Sequence, residues 1–307
     1  MRKRFNWALW LGCILVLFLM IIGVAGPYLA PYDIDYQVKV RNEMVDGKQV
    51  IISPPLAPSG EHLLGTDKWG YDLLTLLLHG APYTIFITLL IALLRLLIGA
   101  WIGLYIGILD KQQRWWIAIE NAWGYMPIFI PVYFLLKGIN INPELPTFTL
   151  VLFFIVVVAV LGTPSVAASI RQKTEQIKES QYVLAATSLG AGRDQIIFRH
   201  ILPHMKEHLV IVLVTEMIAV MTLMGLLGIF GLFVGGTTMY YDPVEYHSIT
   251  HEWAGLLGTY RNFVYTNYTW IFLIPLAAYM IAIGSFSLLA KGLREKFEQT
   301  YSRTPFI

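Results

Sequence analysis

Two charged residues lie inside long apolar stretches of this 307-residue chain, and they are the first candidates for chemistry. Arg95 falls within the stretch 83–107 and Glu216 within the stretch 209–234. A charge at the centre of a bilayer is costly, so such a residue faces a cavity, a partner subunit or an opposite charge. We therefore expect Arg95 and Glu216 either to line a polar pathway or to form a structural pair or interface contact.

Histidines at intervals of four residues could hold a metal ion if they lay on a helix. They are His200, His204 and His208 in one group, and His247 and His251, followed by Glu252, in the other. Four-residue spacing places side chains on one helix face, which suits zinc or nickel. Pro203 interrupts the first group. We predict no metal site in this chain, and the second group leaves a metal-related substrate open as an alternative.

The sequence contains no motif for phosphoryl or acyl transfer. Gly-x-x-x-x-Gly-Lys-Ser/Thr, whose backbone cradles nucleotide phosphates, is absent, and so are Gly-x-Ser-x-Gly and His-Glu-x-x-His. Cys13 is the single cysteine, which excludes an internal disulfide. We therefore predict that the chain is not an enzyme on its own and binds no cofactor.

The composition indicates a membrane protein. Hydrophobic residues make up 56% of the chain, charged residues 14%, and the mean hydropathy is +0.61. Soluble domains carry about 25% charged residues, because their surface faces water. The net charge of +2 gives no indication of nucleic-acid binding.

Six apolar blocks are long enough to cross about 30 Å of hydrocarbon as helices. They are residues 7–26, 83–107, 115–137, 148–168, 209–234 and 270–291. The first follows Arg2, Lys3 and Arg4 and is longer than the apolar core of about 7–15 residues in a secretory signal, so we expect it to be retained. The predicted fold class is an all-α membrane protein with six transmembrane helices.

Basic residues predict the orientation of these helices. With the N-terminus inside, inner segments hold fifteen Lys and Arg residues and outer segments six, and cytoplasmic segments normally carry the excess. This predicts both termini in the cytoplasm. The chain then divides into a basic N-terminus with the first helix (1–26), an extracytoplasmic segment (27–82), a transmembrane core (83–298) with an inner loop at about 169–208, and a cytoplasmic tail (299–307).

Glycines recur on the second and fifth predicted helices. They are Gly99, Gly103 and Gly107 on the second, and Gly225, Gly228 and Gly231 on the fifth. A small-xxx-small ridge lets another helix approach closely, whereas glycine inside a helix is about 1 kcal/mol less favourable than alanine. We expect close packing at both places. A direct substrate role for the first set, and lining or gating of a pathway by the second, stay open.

The inner segment between the fourth and fifth helices contains local signals for two short helices. Ser180 is a good N-cap and Gly190 a good C′ residue for a helix of about nine residues. Asp194 can cap a second short helix, and Pro203 suits the start of the long helix that follows. Two helices hinged at a glycine would form a rigid protrusion that docks in a groove of a soluble partner.

This segment resembles the cytoplasmic loop of ABC-importer permeases, whose pattern is Glu-Ala-Ala, three residues, Gly, nine residues, Ile-x-Leu-Pro. The matching residues are Ala185, Ala186, Gly190, Leu202 and Pro203. Leu184 stands where Glu is usual and His200 where Ile is usual. The stretch 197–203 is nonetheless similar to the Phe-Arg-His-Ile-Leu-Pro run of peptide-importer permeases. Leu184 cannot form a salt bridge to an ATPase, but docking of the loop does not depend on one.

A second resemblance lies in the predicted outer segment. Residues 64–72 look like the Phe-Gly-Thr-Asp-x-x-Gly-Arg-Asp run that precedes the second helix in the dipeptide/oligopeptide permease family. The matching residues are Gly65, Thr66, Asp67, Gly70 and Asp72. Tyr71 and Pro82 replace arginines of that family, and Gly292-Leu293-Arg294-Glu295 after the last helix fits its pattern. The matches span about residues 60–298 and resemble the second of the family's two permease types.

The resemblance implies a type I ABC-importer permease fold in the plasma (inner) membrane and uptake of peptides by alternating access. It implies as partners a second permease, two cytoplasmic ATPases that use ATP and Mg²⁺, an extracytoplasmic substrate-binding protein and the lipid bilayer. It assigns ATPase coupling to Ala185, Ala186, Gly190, Arg199, His200, Leu202 and Pro203. Alternatives are a permease for nickel, a metallophore or another small solute in the same family. A membrane-embedded enzyme or a scaffold represents a different class of function.

Overall fold

The computed structural model describes residues 5–45, 48–109 and 114–301. Arg2, Lys3, Arg4 and Lys111, which contributed to the predicted orientation, and residues 302–307 of the predicted tail lie outside the described residues. The helices are α1 (Trp7–Leu29), α2 (Leu73–Ile108), α3 (Arg114–Tyr125), α4 (Phe129–Asn140), α5 (Thr147–Lys178), α6 (Gln181–Ser188), α7 (Arg193–Ile229), α8 (Trp253–Tyr260) and α9 (Trp270–Tyr301). The strands are β1 (Arg41–Val45), β2 (Lys48–Ile52), β3 (Thr237–Tyr241) and β4 (Val244–Ser248).

Five of the described helices are long and apolar enough to cross a membrane, namely α1, α2, α5, α7 and α9. Residues 115–137 do not form the single straight helix that their composition predicts, because α3 and α4 meet at a bend of 72°. Pro127 lies at this bend. Its ring disfavours a helical conformation at the preceding residue, and it has no N–H to continue the helix. The bent pair counts as a sixth crossing if it forms one span.

Helices α2 and α5 run parallel in close contact along the glycine ridge. A Cβ on Gly99 would lie 2.7 Å from Val166 Cγ1, and one on Gly107 would lie 2.7 Å from Thr174 Cβ. At the end of α2, the Lys178 ammonium donates to the carbonyl of Ile108 at 2.8 Å. Because parallel helices begin at the same end of the bundle, α3 and α4 carry the chain back between them.

Helices α1 and α9 run antiparallel, so that the start of α1 contacts the second half of α9. The Asn6 side-chain amide donates to the carbonyl of Gly292 at 2.7 Å, and the side-chain oxygen Oδ1 of Asn6 accepts from the N–H of Leu9 to cap α1. The backbone of Leu289 lies against Gly12. The start of α1 and the end of α9 therefore lie at the same end of the bundle, in agreement with the predicted six crossings.

Several predicted helix boundaries differ from the structure. The second long helix begins at Leu73 rather than at residue 83, because Asp72 accepts a hydrogen bond from the N–H of Thr75 and caps the helix ten residues earlier. A wide π-turn at Tyr83–Ile87 follows Pro82 and lets the helix continue past the proline. The fifth long helix ends at Ile229 rather than at residue 234. Beyond it the chain forms the antiparallel hairpin β3–β4 and the short helix α8.

Candidate functional site

The short helix α6 has the C-terminal geometry that the sequence predicts. Gly190 has φ +84°, a left-handed conformation that glycine adopts without strain. The N–H of Gly190 donates to the Thr187 carbonyl and the N–H of Ala191 to the Ala186 carbonyl, which closes the helix end. At the other end Ser180 occupies the N-cap position, but its hydroxyl donates to the carbonyl of Ile177 instead of capping α6.

The second predicted short helix is part of a long one. The helix that starts at Arg193 passes through a π-turn at Ile196–Ile201 and continues to Ile229 with Pro203 in its interior. The prediction that Asp194 caps this helix is wrong, because Gly192 holds the N-cap position. The Asp194 carboxylate instead accepts from the Tyr105 hydroxyl at 3.1 Å. The predicted inner loop is also shorter, because α5 extends to Lys178.

One face of α6 packs against α5 and α7, and the other face is exposed. Val183 packs in a buried apolar cluster with Ile177 of α5 and Ile197 of α7, and these side chains fix the position of the helix. On its outer face Leu184 is 52% exposed and Leu189 is 89% exposed. Of the other residues assigned to coupling, Ala185, Arg199 and Pro203 are exposed and Ala186, His200 and Leu202 are partly exposed. Exposed apolar side chains on a fixed helix are typical of a docking surface.

The charged residues Arg95 and Glu216 meet in the structure. Arg95 Nη1 donates to Glu216 Oε2 at 2.9 Å, and Arg95 Nε and Nη2 both donate to the carbonyl of Val158 at 3.1 and 2.9 Å. Gly162 makes this possible, because a Cβ at that position would overlap the guanidinium. The pair thus joins α2, α5 and α7. Sequence reasoning did not identify Gly162, since no local pattern distinguishes it from a packing glycine.

The Arg95–Glu216 pair lines a cavity of about 430 Å³ at the bend between α3 and α4. Helices α5 and α7 contribute further walls, and most of the surface is apolar. The lining residues include Trp123, Met126, Ile128, Leu161, Ala219 and Leu223. The arrangement can hold a solute beside the Arg95–Glu216 pair and the Glu120 carboxylate within a largely apolar chamber.

A second buried ion pair, between Arg171 and Glu120, supports this cavity. Arg171 donates to both carboxylate oxygens of Glu120, with Nε at 3.0 Å and Nη2 at 2.9 Å from Oε2, and its Nη1 donates to Glu175 at 2.7 Å. Trp116 Nε1 also donates to Glu120. Arg171 was counted as an inner-loop residue from the sequence, but it is buried within α5. The pair ties α3 to the end of α5 that precedes α6.

The outer motif builds a turn rather than a reactive site. Asp67 Oδ1 accepts from the N–H groups of Trp69 and Tyr71, and Oδ2 accepts from the Tyr260 hydroxyl at 2.9 Å. Burial raises the pKa of Asp67 to about 6. The Thr66 hydroxyl accepts from the Leu56 N–H. The positive φ angles that complete the turn belong to Gly65 and Gly70, and Asp72 caps α2.

The glycines near the end of α7 contact neighbouring elements and are not among the residues around the cavity. A Cβ on Gly225 would lie 3.2 Å from the Tyr279 ring of α9, and one on Gly231 would lie 2.9 Å from the Tyr246 ring of β4. Gly228 lies against the backbone of α8. Their positions therefore agree with close packing and give no support to lining of this cavity.

The histidines do not converge on a metal site. His247 lies in β4 and His251 in a loop with φ +54°, so the helical spacing assumed for them is wrong. Burial lowers the pKa of His251 to about 4 and also lowers the pKa of His247. His204 stacks on Tyr182 and contacts the carbonyl of His200. Within residues 5–45, 48–109 and 114–301, no group of three His, Cys, Asp or Glu side chains could hold a metal ion.

Several known proteins have sequences similar to this chain. Residues 95–303 match the family described as "Binding-protein-dependent transport system inner membrane component". The chain is 28% identical to the dipeptide transport system permease protein DppC of Bacillus subtilis over 63% of its own length and 54% of that protein. It is 25% identical to the DppC protein of Haemophilus influenzae over 94% of its length and 89% of that protein. It is 23% identical to the DppC protein of Alkalihalophilus pseudofirmus over 78% and 73%.

The family match covers more than half of the chain, and it includes Arg95, α5, α6, α7 and all of α9. The apolar helices α1, α2, α5, α7 and α9 agree with an inner membrane component. The chain is therefore a multi-pass protein of the plasma membrane and belongs to the family of binding-protein-dependent transport system inner membrane components, as a permease of the ABC peptide-importer type.

Proposed function

We propose that this chain is a permease subunit of an ATP-driven importer and that the substrate is a peptide. The names of the similar proteins support the substrate class, since they are dipeptide or peptide permeases. In this proposal the chain conducts the substrate together with a second permease. Two cytoplasmic ATPases supply the energy from ATP and Mg²⁺, and an extracytoplasmic binding protein delivers the peptide.

The observation that carries the proposal is the place of α6 between α5 and α7. These two helices both line the cavity around Arg95 and Glu216, and α6 joins their ends. A displacement of α6 by a bound ATPase would therefore be transmitted to both walls at once. Gly190 is exposed, so the turn between α6 and α7 can move without a clash with the rest of the chain. The subunit contributes coupling and conduction, not phosphoryl transfer.

Arg171 extends the same connection to the third wall. It lies in the last two turns of α5, close to α6, and holds Glu120 of α3 by hydrogen bonds from its Nε and Nη2. Helix α3 then leads to the bend that borders the cavity. Motion at α6 would thus reach α3 through this ion pair as well as α5 and α7 through the backbone.

The test replaces an exposed apolar side chain of the coupling surface with a charge. Leu189→Asp should abolish co-purification of the ATPases and ATP-dependent uptake of a labelled dipeptide into vesicles, because a carboxylate replaces an apolar contact. Leu63→Asp is the matched control, since Leu63 is 64% exposed on the predicted outer side. The control should retain both activities. Normal uptake by Leu189→Asp, or absence of any ATPase from the purified wild-type complex, would contradict the proposal.

A further inference from the structure

A second cavity, of about 410 Å³, lies on the predicted outer side, away from the membrane-spanning segments. It is bounded by the residues that follow Asp67 and by the β3–β4 hairpin. Its lining residues are Gln37, Lys68, Trp69, Tyr71, Tyr240, Asp242, Pro243, Glu245 and His247. The combination of three aromatic rings with two carboxylates differs from the apolar cavity beside Arg95.

The aromatic rings are arranged around His247. Its ring lies edge-on to Trp69, with centroids 4.1 Å apart, and edge-on to Tyr240, with centroids 4.9 Å apart. Tyr240 is 55% exposed, so the cavity is open to the solvent on this side. Aromatic faces carry negative charge density and attract ammonium groups within about 6 Å of the ring centroid.

The chain itself shows which group this environment accepts. The ammonium of Lys68 lies 4.3 Å from the centroid of the Trp69 ring and donates to Glu245 Oε1. An ammonium is therefore already seated between an aromatic face and a carboxylate at the edge of the cavity. The remaining carboxylate, Asp242, is exposed near the tip of the hairpin. No hydrogen bond or ion pair of the Asp242 side chain is found among the described residues.

The charges of the cavity favour a cation. Lys68 and Glu245 neutralise each other, and Asp242 contributes one further negative charge. His247 adds no positive charge near neutral pH, because burial lowers its pKa. The cavity therefore has a net negative charge beside aromatic faces, which suits a ligand with one ammonium group and an apolar body.

We propose that this outer cavity binds the free ammonium group of a peptide before it enters the membrane, with Asp242 and the Trp69 and Tyr240 rings as its contacts. Lys68 acts as an internal competitor that occupies part of the same site. The identification of the ligand as a peptide rests on the proposed function, whereas the preference for an ammonium group rests on the cavity alone. The site would give the permease its own selectivity for a free amino terminus.

The experiment measures binding of alanyl-phenylalanine to the purified full-length chain in lipid nanodiscs, without ATPases. N-acetylation of the dipeptide should abolish binding, since it removes the positive charge. Asp242→Asn should weaken binding about threefold to fivefold, and Lys68→Gln should strengthen it by a similar factor, as expected for partly exposed charge interactions. Asp33→Asn and Lys39→Gln, at exposed positions outside the cavity, are the matched controls and should leave the affinity unchanged.

The opposite effects of the two variants distinguish a ligand site from a structural ion pair. If Lys68 only held the hairpin in place, Lys68→Gln would lower stability and would not strengthen binding. Equal affinity for the free and the acetylated dipeptide, or an unchanged affinity in both variants, would overturn the proposal. Peptide binding without ATP-dependent uptake in the assembled complex would contradict the proposed function and leave this site intact. If Asp242→Asn and Lys68→Gln changed only the affinity of the chain for the substrate-binding protein, the proposal would also be overturned. These residues would then contact that protein and not the peptide.

Discussion

Gly162 decides whether the ion pair of the membrane cavity can form, and Gly162→Ala is the sharpest test of that pair. A Cβ at this position would overlap the Arg95 guanidinium, so the arginine would have to leave. It would lose three hydrogen bonds, two to the Val158 carbonyl and one to Glu216. Removing one partner of a buried ion pair costs roughly 3–5 kcal/mol. Because the Glu216 side chain is 15% exposed, we expect the lower end of that range, about 3 kcal/mol of destabilisation.

The same substitution should become harmless when the arginine is absent. In an Arg95→Ala background the space beside Gly162 is free, and alanine is up to about 1 kcal/mol more favourable than glycine inside a helix. The free energy of unfolding of the four variants, measured with denaturant in one detergent, gives the coupling energy between the two sites. We expect a coupling energy of about 3 kcal/mol between the two sites. It is the difference between the effect of Gly162→Ala on the free energy of unfolding when Arg95 is present and its effect in the Arg95→Ala background.

Gly284→Ala is the matched control for this double-mutant comparison of Gly162 and Arg95. Gly284 lies in α9 with open space around its Cβ position, so the alanine should be neutral or slightly stabilising in both backgrounds. Equal destabilisation by Gly162→Ala with and without Arg95 would refute the reasoning, because the effect would then come from the helix α5 itself. A neutral effect in the wild-type background would refute it as well.

Three further predictions follow from the other sites. Gly190→Val should abolish ATP-dependent uptake and leave membrane insertion unchanged, since a β-branched residue is strained at φ +84°; normal uptake would contradict the role of this turn. Glu216→Gln leaves the Arg95 guanidinium without its charged partner, so it should lower both the free energy of unfolding and uptake, and intact uptake per folded molecule would leave only a structural role. Asp67 has a folded-state pKa of about 6, above its model value of 3.8, so its ionised form destabilises the folded state. Relative to Asp67→Asn, the wild type should therefore gain up to about 3 kcal/mol of unfolding free energy as the pH falls from 7 to about 4, and a constant difference would exclude the raised pKa.

Local patterns in the sequence predicted the long helices and the turn after α6. Apolar blocks of about 20 residues are sufficient evidence for α1, α5 and α9, because a helix satisfies its backbone hydrogen bonds within the segment. Gly190 could be placed for a similar reason, since the left-handed residue at a helix end is set by the backbone of that helix alone. Helix α2 was found but began too late, because the cap at Asp72 lies in a polar stretch before the apolar block.

The predictions were wrong for residues whose side chains could take more than one role in the local sequence. Asp194 could cap a helix, but Gly192 occupies that position and Asp194 binds Tyr105, which lies 89 residues away in the sequence. His247 and His251 have a helical spacing, yet they lie in a strand and a loop. Spacing predicts a shared face only after the secondary structure is known.

The sequence by itself determined that the chain spans a membrane and that an exposed helix ends at Gly190, because hydropathy and backbone conformation act over a few neighbouring residues. Only the tertiary structure decided that Arg95 meets Glu216, that Gly162 admits the guanidinium and that Arg171 holds Glu120. The two charges of the first pair are 121 residues apart, and those of the second are 51 residues apart. Such contacts depend on how the helices α2, α3, α5 and α7 pack together, and no local rule specifies which side chains that packing brings within hydrogen-bonding distance.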